Sequence, residues 1–304
     1  MPRFLRHTFQ LGLLLAFAIG HSYFALHSLG QQKLEKIENC QFIETSWCDG
    51  DSFRVVDPTG KEFTVRLYGV DCLEYHVTSD SDSRRLRAQR RYFGISKYGD
   101  SAETSIAAAK QAGQQAREYV IEMLGGKKFA VVTSFADGRG DPKFKRYYAF
   151  VLLQDTNTGK EIDLAEELVR QGLARAFGVS RSTIDGRTRD EYQDSIKDVE
   201  LLAISKRAGV WKLTDWDQLP IERRAAREEE AEINLAKKSA PLDGSAKIDV
   251  NSASRDELMR LPGIGEAIAN RIVEGRPYAD IDAVLKVSGI GPKTLEKIRS
   301  HIKN

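Results

Sequence analysis

Along the first two-thirds of the chain, apolar and polar positions alternate in short runs separated by turn residues. In residues 62–70, Phe63, Val65 and Leu67 alternate with Thr64, Arg66 and Tyr68, the period-two pattern of a strand that buries one face and projects Arg66 from the other. Similar runs predict strands over 41–47, 52–56, 129–135 and 146–153, with Asp49-Gly50 and Asp57-Pro58-Thr59-Gly60 as turns. Helical spacing predicts a helix over 102–124, stopped by Gly125-Gly126. A second is capped by Asp163 and ends before Gly172, and a third spans 190–207. Trp211 is expected to pack back as a core anchor. Residues 75–100 show neither period and read as a long loop carrying Arg84, Arg85, Arg87, Arg90 and Arg91. Five short strands, a helix after the third and two helices at the end predict an α+β protein. Its core is a small five-stranded oligonucleotide-binding-type β-barrel with three helices.

The two ends follow other patterns. Arg3 and Arg6 precede an apolar run from Leu11 to Gly20, and no charged Asp, Glu, Lys or Arg separates Arg6 from Lys33. Residues 1–31 are therefore expected to be a signal peptide or an N-terminal membrane anchor, with the rest of the chain extracytoplasmic: secreted, periplasmic or tethered by that segment. Barrel residues are expected over 40–213, and a charged, Ala-rich linker over 214–246, either a solvated helix or loose chain. Residues 247–304 are internally repeated. Gly263-Ile264-Gly265 recurs as Gly289-Ile290-Gly291, from residue 263 to residue 289, a spacing of 26. Each unit lies between two short helical patterns, with Ser254 and Glu257 as a capping box and Asp280 as a further cap. This predicts a small all-α domain.

The 304 residues carry a formal net charge of only +2, so the location of charge matters more than its sum. Cys40, Cys48 and Cys72 form no CxxC pair, which argues against a structural zinc site. In an oxidising compartment one disulfide would leave one thiol over. Of the histidines only His76 lies near the strand-edge charges, which disfavours a histidine-based hydrolytic centre.

Those charges are Asp51, Arg66, Asp71, Glu74 and Arg146, all at the edges of predicted strands. Taken singly, an Asp near a turn is an ordinary turn former and an arginine on a strand is an ordinary solvated face. Taken together, carboxylates beside two arginines suit holding a hard cation against a phosphodiester. The stretches around them, Asp49-Gly50-Asp51-Ser52-Phe53, Arg66 to Glu74, Lys97-Tyr98-Gly99, Lys143 to Arg146 and Leu168 to Ala174, closely resemble the staphylococcal nuclease (thermonuclease) family in order and spacing. The resemblance implies one Ca²⁺ held by Asp51, Asp71 and the backbone carbonyl of Cys72, where the family usually has threonine. It implies Glu74 as the general base and Arg66 and Arg146 as phosphate-binding arginines. Leu73 stands where the family has proline, and Phe177-Gly178-Val179 where it has nucleotide-stacking tyrosines. The arginine-rich stretch 84–91 is longer than the family pattern; it reads either as added electrostatic footprint on DNA or as a solvated loop.

From residue 247 onward the chain resembles the tandem helix-hairpin-helix domains of bacterial DNA-uptake receptors and DNA-repair proteins, through Ile248 to Ala253 and the two Gly-Ile-Gly units. The resemblance implies backbone contacts to DNA from Gly263, Gly265, Gly289 and Gly291, a charge contact from Lys293, and a monovalent cation at the hairpins. The implied whole is a calcium-dependent, sequence-nonspecific endonuclease acting on DNA and RNA, with no protein partner. The alternative is an exported non-catalytic DNA receptor for uptake or adhesion.

Overall fold

The computed structural model describes residues 33–137, 145–155, 158–239, 247–253 and 255–304. Strands β1 (Glu35–Ile43), β2 (Ser52–Val56) and β3 (Glu62–Leu67) form an antiparallel meander, and β4 (Val70–Cys72) follows at once. β5 (Phe129–Asp137) pairs antiparallel with β1, and β6 (Tyr147–Gln154) with β5. β6 also runs parallel to β3, with Arg66 beside Tyr148, and this pairing closes the sheet on itself. The expected five-stranded barrel is present. β7 (Glu161–Asp163) adds an edge to β6, and β8 (Ala174–Ala176) pairs antiparallel with β4. The inward positions of the alternating runs, among them Phe53, Val55, Val65, Leu67, Val131 and Val151, fill the barrel core.

Strand β1 begins earlier than its hydrophobic pattern predicts. Its first residues are mostly exposed, yet they pair with β5 from Glu35↔Thr133 onward, so backbone pairing rather than burial extends it. Residues 44–47 leave the strand and enter a turn.

The larger departure lies between β4 and the long helix. Residues 80–93, expected as loop, form helix α1 (Asp80–Phe93). Ser79 caps it by accepting from the Asp82 amide, the Asp82 side chain answers at the Ser79 backbone, and Gly94 ends it in the left-handed region at φ 65°. Only Leu86, Gln89 and Phe93 are buried along it, so its inward stripe holds just two apolar residues. The barrel thus carries one helix more than expected. Helix α2 (Ala102–Leu124) ends before Gly125, and α3 (Leu164–Arg170) is capped by Asp163, whose Oδ1 accepts from the Ala165 amide at 2.9 Å. Helix α4 (Arg189–Ser205) follows, and Trp211 is fully buried against Phe93.

Much of the segment expected as a linker is helix α5 (Leu219–Ser239). It docks on α1: Glu229 pairs with both Arg87 and Arg91, and Arg223 Nε donates to the Tyr92 carbonyl at 2.9 Å. No helix among the described residues is long and apolar enough to cross a membrane; the leader lies outside them.

The C-terminal repeat forms its own core. Two-residue strands β9 (Ile248–Asp249) and β10 (Ile302–Lys303) pair in parallel and tie its ends together. Between them lie α6 (Arg255–Leu258), α7 (Glu266–Glu274), a 3-10 turn at Ile281–Lys286 and α8 (Pro292–Arg299). Val250, Leu258, Leu261, Ile264, Ile272, Val284, Ile290, Leu295 and Ile298 are buried together. Asp280 caps its turn as expected, through the Ala283 amide at 2.8 Å. Ser254, half of the expected capping box, lies outside the described residues. Buried Arg181 donates to Ser134 Oγ at 2.6 Å and to the Glu274 carbonyl at 3.4 Å, joining the repeat to the barrel.

Candidate active site

The turn before β2 is shaped by Asp49, whose Oδ1 accepts from the Ser52 amide at 2.6 Å and the Asp51 amide at 3.1 Å. It places Asp51 at the mouth of the barrel beside the end of β3. There the Asp51 carbonyl accepts from the Leu67 amide, and Ser52 lies opposite Arg66 in register. Asp71 sits in β4 opposite Arg175 in β8. Helix α2 supports this corner closely. A Cβ on Gly113 would lie 2.3 Å from the Leu73 carbonyl oxygen, so only glycine lets the helix come this near to the residue before Glu74.

The carboxylates of Asp51 and Asp71 are 2% and 3% exposed by residue, and one guanidinium bridges them. Arg66 donates through Nη1 to Asp51 Oδ1 and through Nη2 to Asp71 Oδ1, the latter at 3.0 Å. The Cys72 amide donates to the other Asp51 oxygen at 2.8 Å. Arg146, just ahead of β6, donates to Ser52 Oγ at 3.2 Å, and Arg66 reaches the same hydroxyl at 3.4 Å. The five charged residues singled out in the sequence are therefore gathered in one corner.

Four further side chains complete the corner, and the sequence pattern did not mark them. Ser52 is where the two arginines meet. Arg175 donates to Asp71 Oδ2 at 2.8 Å. Arg85 on α1 pairs with Glu74 at 2.5 Å. Gln89 on α1 is fully buried; its Nε2 donates to Asp71 Oδ2 at 2.9 Å and to the Cys72 carbonyl at 2.7 Å, and its Oε1 accepts from the Glu74 amide at 2.9 Å. Their sequence signals were the place of Ser52 in the Asp49–Phe53 stretch, the unusual length and arginine content of the 75–100 segment, and the period-two position of Arg175 next to Ala174 and Ala176.

Electrostatics separate the acids. Burial works to raise Asp71, but Arg175 and Arg66 outweigh it and hold the carboxyl well below the usual range. Burial pushes the Glu74 carboxyl up, and Arg85 opposes that shift. Asp49 is pushed well up by burial and by neighbouring Asp51. Burial, then Asp51, Asp49 and Asp71, raises the Cys72 thiol far above its ordinary value, so it stays protonated. All three cysteines are free and buried.

The donor set fits calcium in kind. Asp51, Asp71 and the Cys72 carbonyl are hard oxygen donors drawn to one place, and water normally fills the rest of the shell. No three His, Cys, Asp or Glu side chains among the described residues form a ready cage. The carboxylates are instead held by Arg66, and the carbonyl by Gln89.

The arginines of 84–91 are each engaged by a neighbour, although Arg84 and Arg87 remain exposed. Arg85, Arg87 and Arg91 pair with Glu74 and Glu229, Arg90 donates to Ser105 Oγ at 2.9 Å, and Arg84 to the Asp80 carbonyl at 3.3 Å. A separate cavity of about 160 Å³, lined by Glu161, Asp163, Glu166, Asp185 and Arg187 among others, includes none of the site residues.

The C-terminal hairpins keep their repeat in three dimensions. Gly263 and Gly289 have φ of 83° and 99°, a region open to glycine, and the turns close with Ile264 N–H to Leu261 O at 3.1 Å and Ile290 N–H to Val287 O at 2.9 Å. Gly265 and Gly291 are the N-caps of α7 and α8, with no side chain capping either helix. Lys293 is exposed in the first turn of α8.

Comparison with known proteins agrees with this architecture. Residues 64–213 match the family of staphylococcal nuclease homologues, and residues 244–303 match the helix-hairpin-helix motif. The chain thus carries a region matching the staphylococcal nuclease homologues followed by one matching the helix-hairpin-helix motif. Curated relatives match over much shorter stretches. A deoxyribonuclease of Thioalkalivibrio sp. (strain K90mix) is 45% identical over 53 residues, 17% of this chain and 15% of that protein. ComE operon protein 1 of Bacillus subtilis (strain 168) is 38% identical over 61 residues, 19% of this chain and 30% of that protein. Human endonuclease/exonuclease/phosphatase family domain-containing protein 1 is 37% identical over 60 residues, 18% and 10% of the two chains. The chain thus spans less than a third of each of these relatives.

Proposed function

We propose that this protein is a calcium-dependent, sequence-nonspecific endonuclease that hydrolyses phosphodiester bonds of DNA and RNA. The observation that carries the reading is the convergence of Arg66 and Arg146 on Ser52 Oγ beside the buried Asp51–Asp71 pair. Two guanidinium groups at one hydroxyl can present paired donors to a phosphate, and their contribution is greatest as negative charge builds at phosphorus. Glu74, partly shielded from water and paired with Arg85, supplies the carboxylate that takes a proton from the attacking water. When bound by Asp51, Asp71 and the Cys72 carbonyl, calcium supplies Lewis-acid stabilisation of that charge. Arg66 exchanges its carboxylate partners for the phosphate. The match to the staphylococcal nuclease homologues and the name of the Thioalkalivibrio relative support this reading.

The hairpins hold the DNA backbone. Gly263 and Gly289 turn the chain into helices whose N-cap glycines, Gly265 and Gly291, leave the first amides free of any side-chain cap; Lys293 adds charge, and the hairpin carbonyls would hold a monovalent cation that supplies further positive charge beside the phosphate. Residues 1–31 direct export, placing the protein outside the cytoplasm, either free or tethered. One observation favours a second reading as a non-catalytic DNA receptor: Glu74 and Asp71 are each already held by an arginine other than Arg66 and Arg146, the two implied to bind phosphate.

Plasmid incubated with the purified chain in calcium or in chelator separates the two. Cutting is expected only with calcium, and Glu74→Gln should lower the rate by about 10²–10⁴-fold while DNA binding persists. Intact plasmid in excess calcium, with DNA retained, would establish the receptor instead.

A further inference from the structure

We infer that Gln89, on the inserted helix α1, is the positioning residue that sets the site's geometry; this deepens the nuclease reading and rests on it. Three functional positions from one short stretch are tied by a single side chain. The Gln89 carboxamide donates to Asp71 Oδ2 at 2.9 Å and to the Cys72 carbonyl at 2.7 Å, and accepts from the Glu74 amide at 2.9 Å. It is fully buried, so water cannot substitute for any of these bonds. A carboxamide suits this position because it offers two donors and an acceptor on one rigid plane. Two donors face a carboxylate and a carbonyl proposed to hold the cation, and the acceptor fixes the backbone of the proposed base.

The rest of α1 fits that role. Leu73 stands where the family pattern has proline, so the segment leading to Glu74 lacks that ring's restraint. Gln89 supplies a restraint from outside the segment. Helix α1 is itself pinned by α5 through Glu229 to Arg87 and Arg91, and through Arg223 to the Tyr92 carbonyl. The α5 segment thereby steadies the residue that steadies the site. Gln89 touches neither phosphate nor attacking water. It acts through Asp71, Cys72 and Glu74.

Two variants of the full chain test this. Gln89→Met keeps the length and apolar stem but removes all three bonds; Gln89→Glu keeps the acceptor for the Glu74 amide but, with at most one O–H, cannot donate to both Asp71 and the Cys72 carbonyl. Both should lower kcat on plasmid about 10- to 100-fold, with KM for DNA changed less than about threefold. Hydrogen exchange at the Glu74 amide should quicken about tenfold or more in Gln89→Met and stay near wild type in Gln89→Glu. Exchange in β2 and β3 reports whether each variant has kept its fold; should Gln89→Met unfold, the kcat and exchange of Gln89→Glu decide. Wild-type kcat in a folded variant, or unaltered Glu74 exchange in folded Gln89→Met, overturns the role of Gln89. If the wild-type chain itself leaves DNA intact, the nuclease reading fails separately, and the exchange measurement alone still decides whether Gln89 organises the segment.

Discussion

Replacing Arg175 by methionine should destabilise the barrel by about 3 kcal/mol, and the size of that loss tests how the site's charges are balanced. Arg175 and Asp71 side chains are 7% and 5% exposed, and both Nε and Nη2 lie 2.8 Å from Asp71 Oδ2. Removing one member of a buried ion pair typically costs about 3–5 kcal/mol, because the other charge is left without its partner. The guanidinium also lies over Phe177 at 4.1 Å and Tyr92 at 5.1 Å, contacts worth about 0.5–1 kcal/mol each. Against these losses, Arg66 and Gln89 still serve Asp71, and methionine keeps much of the apolar stem in place. The lower end of the range is therefore expected. Urea unfolding at neutral pH, followed by tryptophan fluorescence, is the assay: Trp47, Trp211 and Trp216 are the chain's three tryptophans, and all precede the C-terminal repeat. Asp71→Asn alone should cost a similar amount, and the double variant should lose at least about 2 kcal/mol less than the sum of the singles. A loss below about 1 kcal/mol for Arg175→Met, or simple additivity, would refute the claim that these charges depend on each other.

Two other perturbations probe the supports of the site. Gly113→Ala should cost about 1–3 kcal/mol in urea unfolding, even though alanine favours helix by ~1 kcal/mol, because its Cβ would fall 2.3 Å from the Leu73 carbonyl oxygen. A stabilised Gly113→Ala would mean α2 does not press on the backbone at Leu73. Asp163, outside the site, is shifted in the opposite sense to Asp71. Burial, then Glu166, pushes its carboxyl up to about 6, above the ordinary value of roughly 3.9. The folded state then binds the proton more tightly than the unfolded state, so Asp163's contribution to stability falls as pH rises from about 4 to about 6, and is flat above that. Asp163→Asn keeps a capping oxygen and carries no charge. It should be more stable than wild type by on the order of 1–3 kcal/mol at pH 8, with the advantage gone near pH 4. Equal differences at both pH values would contradict the assignment.

How much was legible follows from what each element depends on. The strands of the barrel announced themselves because each buries one face of its own run, as Phe63, Val65 and Leu67 do. Helix α2 was legible for the same reason, with its Ala-rich inward face and a glycine stop. Helix α1 was not, since just two of its three buried positions are apolar and the third is Gln89. Its cap also used Asp82 rather than the Glu or Gln of the usual box, and five arginines gave it the composition of a solvated loop. In the sequence helix α5 looks solvated or loose because its inward contacts are charged: Glu229, Arg223 and Glu222 meet partners on or beside α1 that no local pattern indicates.

The same division runs through the site. Asp51, Arg66, Asp71, Glu74 and Arg146 could be picked out because they sit at strand edges in a familiar order. Arg85, Gln89 and Arg175 could not, because their role comes from tertiary neighbours: a helix packed over the corner for two of them, and the β4–β8 register for the third. Those unmarked residues alter the chemistry. Asp51, Asp71 and Glu74 alone would leave a strongly acidic corner, attractive to a cation and repellent to phosphate. With Arg85 and Arg175 added to Arg66, the three carboxylates meet three guanidinium groups. On the proposed reading a cation would displace Arg66 from the carboxylates, and the freed guanidinium would be the group that receives the phosphate. Metal and substrate should therefore each make room for the other, so binding of one raises affinity for the other by the same factor.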